Sequence, residues 1–271
     1  MFWFKKKEIV LDCFTGEVFT EEYCKPREAS KFYPEWYKSL PSSYTATNKK
    51  YNADYKKHGT LKHCHAFTDL YKNSIILPAW SNLTLNVGNG MFVQDTSNAE
   101  DMKFGIHPPE QTDNIFIKNK LQHIKLNSPW HFRTNKLVNF TWIDPYWNKI
   151  DQNSNKEFTI LPGAMEFRYQ TGTEVNLVFS TTGEKRIINI STGEPLVMLV
   201  PNTDEQITIK THVIGPNEWR KFDGSGKFFN LNKGAYDASL MYYKVKKEFL
   251  QKHYEREEEP ASKCPFGFKK K

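Results

Sequence analysis

The sequence is poor in cysteine and arginine and has no long apolar run. Its 271 residues include four cysteines, none in a C-x-x-C pair, which excludes a disulfide framework and a zinc ribbon. No segment approaches the roughly 18 apolar residues of a transmembrane helix, and residues 1–7 place their apolar side chains before their charges, unlike a signal peptide. Six arginines against 32 lysines leave few guanidinium groups to clamp phosphates. We therefore expect synthesis in a reducing compartment and no membrane span.

The common catalytic signatures are absent as well. There is no G-x-S-x-G elbow, no P-loop and no G-x-G-x-x-G after a strand, the patterns that mark α/β hydrolases, phosphate-binding NTPases and dinucleotide-binding enzymes. The sequence therefore favours a non-enzymatic protein and leaves the enzyme question open.

The basic charge lies at the two ends of the chain. The formal net charge is +7, and residues 5–7 and 269–271 are six lysines, which leaves the body at +1. Nucleic-acid binders that neutralise phosphates carry their excess charge on a face of the folded domain. We therefore predict no dedicated nucleic-acid binding.

What the sequence does contain is aromatic residues and short strand signals. It has 20 Phe, 13 Tyr and 7 Trp, enough for a sizeable core. The alternation over residues 83–87, a turn at 88–90 and a return at 91–94 predict a hairpin. Further strands are predicted at residues 8–14, 114–118, 121–126, 137–143, 158–161, 164–170, 175–180, 185–190, 196–200 and 206–213. With turn signals at intervals of roughly ten residues and no helix of crossover length between them, the fold is predicted to be mainly β, an antiparallel sandwich or jelly roll.

Three regions follow along the chain. Residues 1–60 are predicted to hold a strand, a short helix at 35–40 and a polar loop, and residues 61–234 the β core. Residues 235–271 are predicted to form one long amphipathic helix, up to about residue 258, and a tail, because apolar residues recur there at helical spacing. Residues 61–271 would be one domain with the N-terminal segment packed on it.

The densest polar cluster is the run from His58 to His65, with Asp69 after it. On a strand, His63 and His65 would project from one face and could hold one metal ion. The spacing of His63, His65 and Asp69 resembles the first metal motif of cupins, which implies a metal-dependent enzyme with His107 or His131 as a further ligand. The alternative is that these histidines are surface or hydrogen-bonded side chains. We predict no cofactor and keep a divalent metal as the alternative.

A second local resemblance covers residues 161–200. The order of a Gly163-Ala164-Met165-Glu166 strand, a strand at 174–179 and a strand at 188–200 resembles the dUTPase family. That resemblance implies that Glu166 stands in the place of the water-activating aspartate and Tyr169 in that of the tyrosine under the deoxyribose. It implies a nucleotide-hydrolysing or a degenerate nucleotide-binding protein.

A broader resemblance covers most of the chain. The segments that carry it are residues 31–41, 61–64, 75–83, 105–111 and 128–130, with Cys264-Pro265-Phe266 near the end. They resemble uncharacterised proteins of T4-like tailed phages of marine bacteria, cyanophages and pelagiphages. The resemblance implies a viral, β-rich protein in the host cytoplasm during infection or in the virion.

The loops suggest ligand-binding aromatics. Trp80, His107, Trp130 and Trp147 lie in or next to proline-containing loops, where such side chains line clefts or plug strand ends. If exposed, they would suit a carbohydrate-binding module. The leading prediction is a non-enzymatic structural or binding protein of a phage, which assembles with itself or with other phage proteins; a cupin-like or dUTPase-like protein and a carbohydrate-binding module are the alternatives.

Overall fold

The computed structural model describes residues 8–45, 57–88, 91–94, 104–105, 109–150, 158–167 and 172–216. Strands make up 47 % of the structure and helices 23 %, which confirms the prediction of a mainly β protein with several antiparallel sheets. The predicted C-terminal helix at 235–258, His107 and Tyr169 lie outside the described residues.

Sixteen short strands and four α-helices occur in the described part of the chain. The strands are β1 (Ile9–Thr15), β2 (Arg27–Glu28), β3 (Ser43–Thr45), β4 (Lys57–Gly59), β5 (Ile75–Pro78), β6 (Leu83–Gly88), β7 (Met91–Gln94), β8 (Phe104–Gly105), β9 (Leu121–Thr134), β10 (Asn139–Ile143), β11 (Phe158–Ile160), β12 (Gly163–Glu166), β13 (Gly172–Ser180), β14 (Arg186–Ile190), β15 (Pro195–Pro201) and β16 (Ile207–Val213). The helices are α1 (Val18–Tyr23), α2 (Glu35–Ser39), α3 (His65–Asn73) and α4 (Ile115–Lys118), and 3₁₀ turns occur at Ala29–Phe32, Leu61–His63, Pro109–Thr112 and Tyr146–Asn148.

The largest sheet has six strands in the order β11-β13-β9-β1-β16, with β8 also paired to β9. Strand β1 alternates buried and half-buried residues, the period-two pattern of a strand with one face in a core. It lies between β9 and β16, so the N-terminal segment is an integral part of this sheet. The β1–β16 pair is parallel and joins Ile9 to Ile207, which corrects the purely antiparallel prediction.

A second sheet has five strands in the order β12-β10-β15-β5-β2, and smaller sheets are formed by β14-β6-β7 and by β3-β4. One hydrophobic core takes side chains from the three largest sheets, for example Leu11 of β1, Leu199 of β15 and Leu85 of β6. Because three sheets share this core, most of the buried apolar area lies between them.

The other face of the five-stranded sheet carries a layer of short helices. Ile76 of β5 and Met198 of β15 point into this layer, where they contact Tyr37, Phe67 and Tyr71. The Tyr71 hydroxyl donates to Asn148 Oδ1 at 2.6 Å, and burial raises the pKa of Tyr71. Strand β5 is therefore buried on both faces, which explains its unbroken apolar sequence.

The structure corrects two strand predictions. Residues 114–118 are not a strand: Asp113 and Asn114 have positive φ values of 46° and 57°, and the chain turns there into α4. Residues 121–134 form one strand of 14 residues, longer than the predicted 121–126. No helix among the described residues is long and apolar enough to span a membrane.

Candidate functional site

The predicted metal ligands lie on helical turns. His63 ends the 3₁₀ turn at Leu61–His63 and His65 begins α3, and both side chains are exposed, as is Asp69. The prediction that His63 and His65 project from one face of a strand is therefore wrong, because neither residue lies on a strand. Within the described ranges, no group of three potential metal ligands comes together. With His107 outside those ranges, the cupin-like site stays a prediction.

Glu166, the predicted catalytic carboxylate, is the last residue of β12. This strand lies at the edge of the five-stranded sheet, and Glu166 pairs with Asn139 of β10. The side chain is half-buried, and the next residue, Phe167, is fully buried in the core. Because Tyr169 lies outside the described residues, the dUTPase-like pair also stays a prediction.

The predicted ligand-binding tryptophans belong to the interior. Trp130 has no exposed surface and Trp80 is 4 % exposed, so these two indoles lack the exposure that a carbohydrate-binding module would require. Each fills space between the sheets, where a large aromatic ring stabilises a core. Trp147 is half-buried and packs edge-on against Phe67, with ring centroids 5.3 Å apart.

A histidine–carboxylate pair occurs on the outer face of the six-stranded sheet. His212 Nε2 lies 2.8 Å from Asp12 Oδ1, and its ring stacks on Phe14 at 4.8 Å. The parallel pairing of β1 and β16 brings these residues together across 200 positions of sequence. Both members of the pair are partly exposed, and their side-chain contact joins β1 to β16.

A polar cleft opens where the edges of the two largest sheets approach each other, and we call it the seam cleft. Strand β2 is the last strand of the five-stranded sheet and β16 the last of the six-stranded sheet. The cleft is lined by Glu28, residues 72–75, residues 203–206, Ile207 and Ile209, and its volume is about 280 Å³. That is just below the roughly 300–1,000 Å³ of pockets for drug-sized molecules, so it suits a small ligand or a single side chain.

Local hydrogen bonds fix the walls of the seam cleft. The backbone N–H of Ala29 donates to the Ser74 carbonyl at 2.8 Å, which ties the end of β2 to the end of α3. In the loop that follows β15, the Glu205 N–H donates to Thr203 Oγ1 at 3.1 Å, a side-chain turn of the kind that serine and threonine form. Lys136 Nζ then holds Glu205 Oε2 at 2.6 Å. Both walls are thus anchored to the sheets.

The lining of the seam cleft carries an excess of negative charge. Glu28, Asp204 and Glu205 face one cationic side chain, Lys72, so the formal charge of the lining is −2. Glu205 is already held by Lys136, while Glu28 and Asp204 form no ion pair with any other residue in the described ranges. The cleft is therefore acidic in a chain of net charge +7.

Ser74 is the unusual member of the lining. It is 2 % exposed, and its hydroxyl oxygen is buried without a hydrogen-bond partner among the described residues. Burying a hydroxyl without a partner costs about 1–3 kcal/mol, and such groups are rare in native proteins. The Ser74 hydroxyl therefore lies beneath the surface of the cleft wall rather than open to the cleft.

The comparisons with known proteins find no relatives. The sequence matches no protein-family model, and no curated protein or solved structure matches it. The resemblances to phage proteins, cupins and dUTPases therefore stay predictions, and the function has to be argued from the seam cleft.

Sequence patterns did not point to the seam cleft. Its walls come from residue 28, residues 72–75 and residues 203–209, and no motif connects segments so far apart. The one local signal is the run Asn202-Thr203-Asp204, which marks a turn. A turn by itself does not indicate a binding site.

Proposed function

We propose that the protein is a non-enzymatic binding protein and that the seam cleft is its ligand site. The observation that carries the proposal is the polar lining of the cleft, whose formal charge is −2 in a chain of net charge +7. Apart from three isoleucines, the lining side chains are carboxylates, amides, hydroxyls and one ammonium, groups that hold a polar ligand by hydrogen bonds and charge.

The setting proposed for this function is phage infection. The resemblance to proteins of T4-like marine phages supports a role in the host cytoplasm or in the virion, with a second copy or other phage proteins as partners. We further propose a sandwich arrangement of the sheets. Its support is the shared core, in which side chains of the five-stranded and the six-stranded sheet meet.

A fragment screen tests the proposal. Small amines, carboxylates and polyols would be added to the wild-type protein, to Asp204→Asn, which changes an exposed lining side chain, and to Glu35→Gln, and unfolding temperatures measured. Glu35 is the matched control because it is also an exposed carboxylate, paired with Lys38 on α2, and it does not line the cleft. A ligand at one hundred times its Kd stabilises the folded state by about 2.7 kcal/mol, a readily measured shift.

The expected result is a set of fragments that stabilise wild type and Glu35→Gln to the same degree and Asp204→Asn to a different degree. Fragments that stabilise all three proteins equally would bind elsewhere and contradict the proposal. The absence of any stabilising fragment would contradict it as well.

A further inference from the structure

An apolar patch occurs on helix α1, beside the last strand of the six-stranded sheet. Val18, Phe19 and Tyr23 make up half of this helix, and each of them is more than half exposed. The rings of Phe19 and Tyr23 lie together, with their centroids 4.9 Å apart. Exposed apolar side chains that cluster in this way mark a surface that another element covers. We call these three residues, together with the exposed Val213 of β16, the α1 patch.

Contacts with β16 fix the position of α1. Thr20 of the helix is buried, and the Thr211 hydroxyl of β16 donates to Glu21 Oε1 at 2.7 Å. Because side chains alternate along a strand, Val213 lies on the same face of β16 as Thr211, which is the face that α1 contacts. The α1 patch is therefore a fixed surface formed by a helix and the strand beneath it.

Strand β16 ends beside the α1 patch. The Ile214 N–H donates to the Thr15 carbonyl at 2.9 Å. Val18 follows Thr15 by three residues, so it lies within about 10 Å of this contact. The chain continues from there outside the described residues, and residues 217–234 can span up to about 60 Å. Residues 235–258 can therefore reach the α1 patch.

Residues 235–258 carry the apolar stripe that such a surface needs. The sequence predicts a helix here, with five apolar residues on one side of it: Ala238, Met241, Tyr242, Val245 and Phe249. An amphipathic helix owes most of its stability to the packing of its apolar side on another element. This segment therefore requires an apolar surface, and the α1 patch lies within its reach.

The charges of the two segments are complementary. Residues 17–23 contain three glutamates and no basic residue, whereas residues 238–249 contain three lysines and one glutamate. Complementary charges favour the approach of two surfaces and determine how they align. Charge and apolar character thus point to the same pairing.

We propose that residues 235–258 dock on the α1 patch of the same chain, with their apolar stripe against Phe19 and Tyr23. Lysines beside the stripe then lie near Glu17 and Glu22, which are exposed. A segment tethered next to its site is present at a high effective concentration, which favours docking within one chain over docking of a second copy. The α1 patch shares no residue with the seam cleft, so this inference does not depend on the proposed binding function.

Site-specific photocrosslinking in the full chain tests the inference. The photoreactive amino acid p-benzoylphenylalanine, placed at Phe19, should form crosslinks with residues 238–249, which mass spectrometry locates after proteolysis. The same amino acid placed at Tyr146 is the matched control, since Tyr146 is also an exposed aromatic side chain and lies outside the α1 patch. It should form no crosslinks with residues 238–249. A mixture of labelled and unlabelled chains distinguishes crosslinks within one chain from crosslinks between chains.

Two substitutions in the stripe segment sharpen the test. Val245→Asp would place a charge against the α1 patch, where burial of a charge is unfavourable, and it should lower the crosslink yield from Phe19 to that of the Tyr146 control. Tyr243→Asp introduces the same charge on the opposite side of an α-helix and should leave the yield unchanged.

Three results would overturn the inference. Crosslinks from Phe19 that form only between chains would assign the α1 patch to a second copy. A yield with residues 238–249 no higher than that from Tyr146 would show that the segment does not dock there. A yield that Val245→Asp and Tyr243→Asp change equally would show that the apolar stripe does not make the contact.

Discussion

Replacing Ser74 with alanine should stabilise the free protein. The side chain is 2 % exposed and its hydroxyl has no partner among the described residues, so folding removes it from water without compensation. The cost of that burial is about 1–3 kcal/mol. Alanine removes the cost and leaves a void smaller than one methylene, whose own penalty is below about 1 kcal/mol. The backbone of Ser74 is extended, with φ −104° and ψ 166°, which alanine adopts without strain. The net gain should be about 1 kcal/mol.

Urea unfolding measures this gain as a higher midpoint at an unchanged slope. Two variants calibrate the reasoning. Thr134→Val removes another buried hydroxyl without a described partner and should also be neutral or stabilising. Thr181→Val removes a hydroxyl that donates to the Lys120 carbonyl at 3.1 Å and should destabilise by about 1–2 kcal/mol. Most single substitutions destabilise by about 1 kcal/mol, so a loss of that size in Ser74→Ala would refute the reasoning.

Three further predictions concern the scaffold. Gly88→Ala should strongly destabilise the protein and lower the urea midpoint, because a Cβ at this position would lie 2.7 Å from the Glu184 backbone carbonyl oxygen. Gly183→Ala is the comparison: Gly183 also has a positive φ, but the space around it is open, so the substitution should cost only about 1 kcal/mol. Asp144→Ala should lower the free energy of unfolding by about 3–5 kcal/mol in the same assay. In the wild-type protein the largely buried ammonium of Lys149 lies 2.7 Å from Asp144 Oδ1, and the substitution leaves that ammonium without a carboxylate. Burial raises the pKa of the Cys13 thiol, so above about pH 8.5 the thiol ionises more readily in the unfolded chain than in the folded one, and the free energy of unfolding should fall as pH rises. Cys13→Ala should reduce this fall. A pH profile of stability that is the same in Cys13→Ala and wild type would contradict the prediction.

Much of the fold could be predicted from local patterns. The hairpin of β6 and β7 has an alternating strand before a glycine turn, and the structure confirms it. The segment Ile115–Lys118 shows the limit, because a short apolar run suits a strand and a helical turn equally well. In the structure, Asp113 and Asn114 have positive φ values that turn the chain into the helix. Those backbone angles depend on the surrounding chain and could not be predicted from the local sequence.

Long-range contacts could not be predicted in the same way. The parallel pairing of β1 with β16 depends on contacts across about 200 residues, such as Asp12 with His212. The burial of Trp80 and Trp130 depends on how the sheets pack, since a tryptophan next to a proline is equally compatible with a surface loop. For the same reason Ser74, an ordinary residue after a helix, gave no sign of lining a cleft.

The central claim, that the seam cleft is the ligand site, is tested most directly by mapping backbone amide chemical shifts. A mixture of small amines, carboxylates and polyols would be titrated into the isotope-labelled full chain. The largest changes should occur at residues 72–75 and 203–207, and they should be altered in Asp204→Asn and unaltered in Glu35→Gln. Changes concentrated elsewhere, for example around Asp12 and His212 on the outer face of the six-stranded sheet, would contradict the claim.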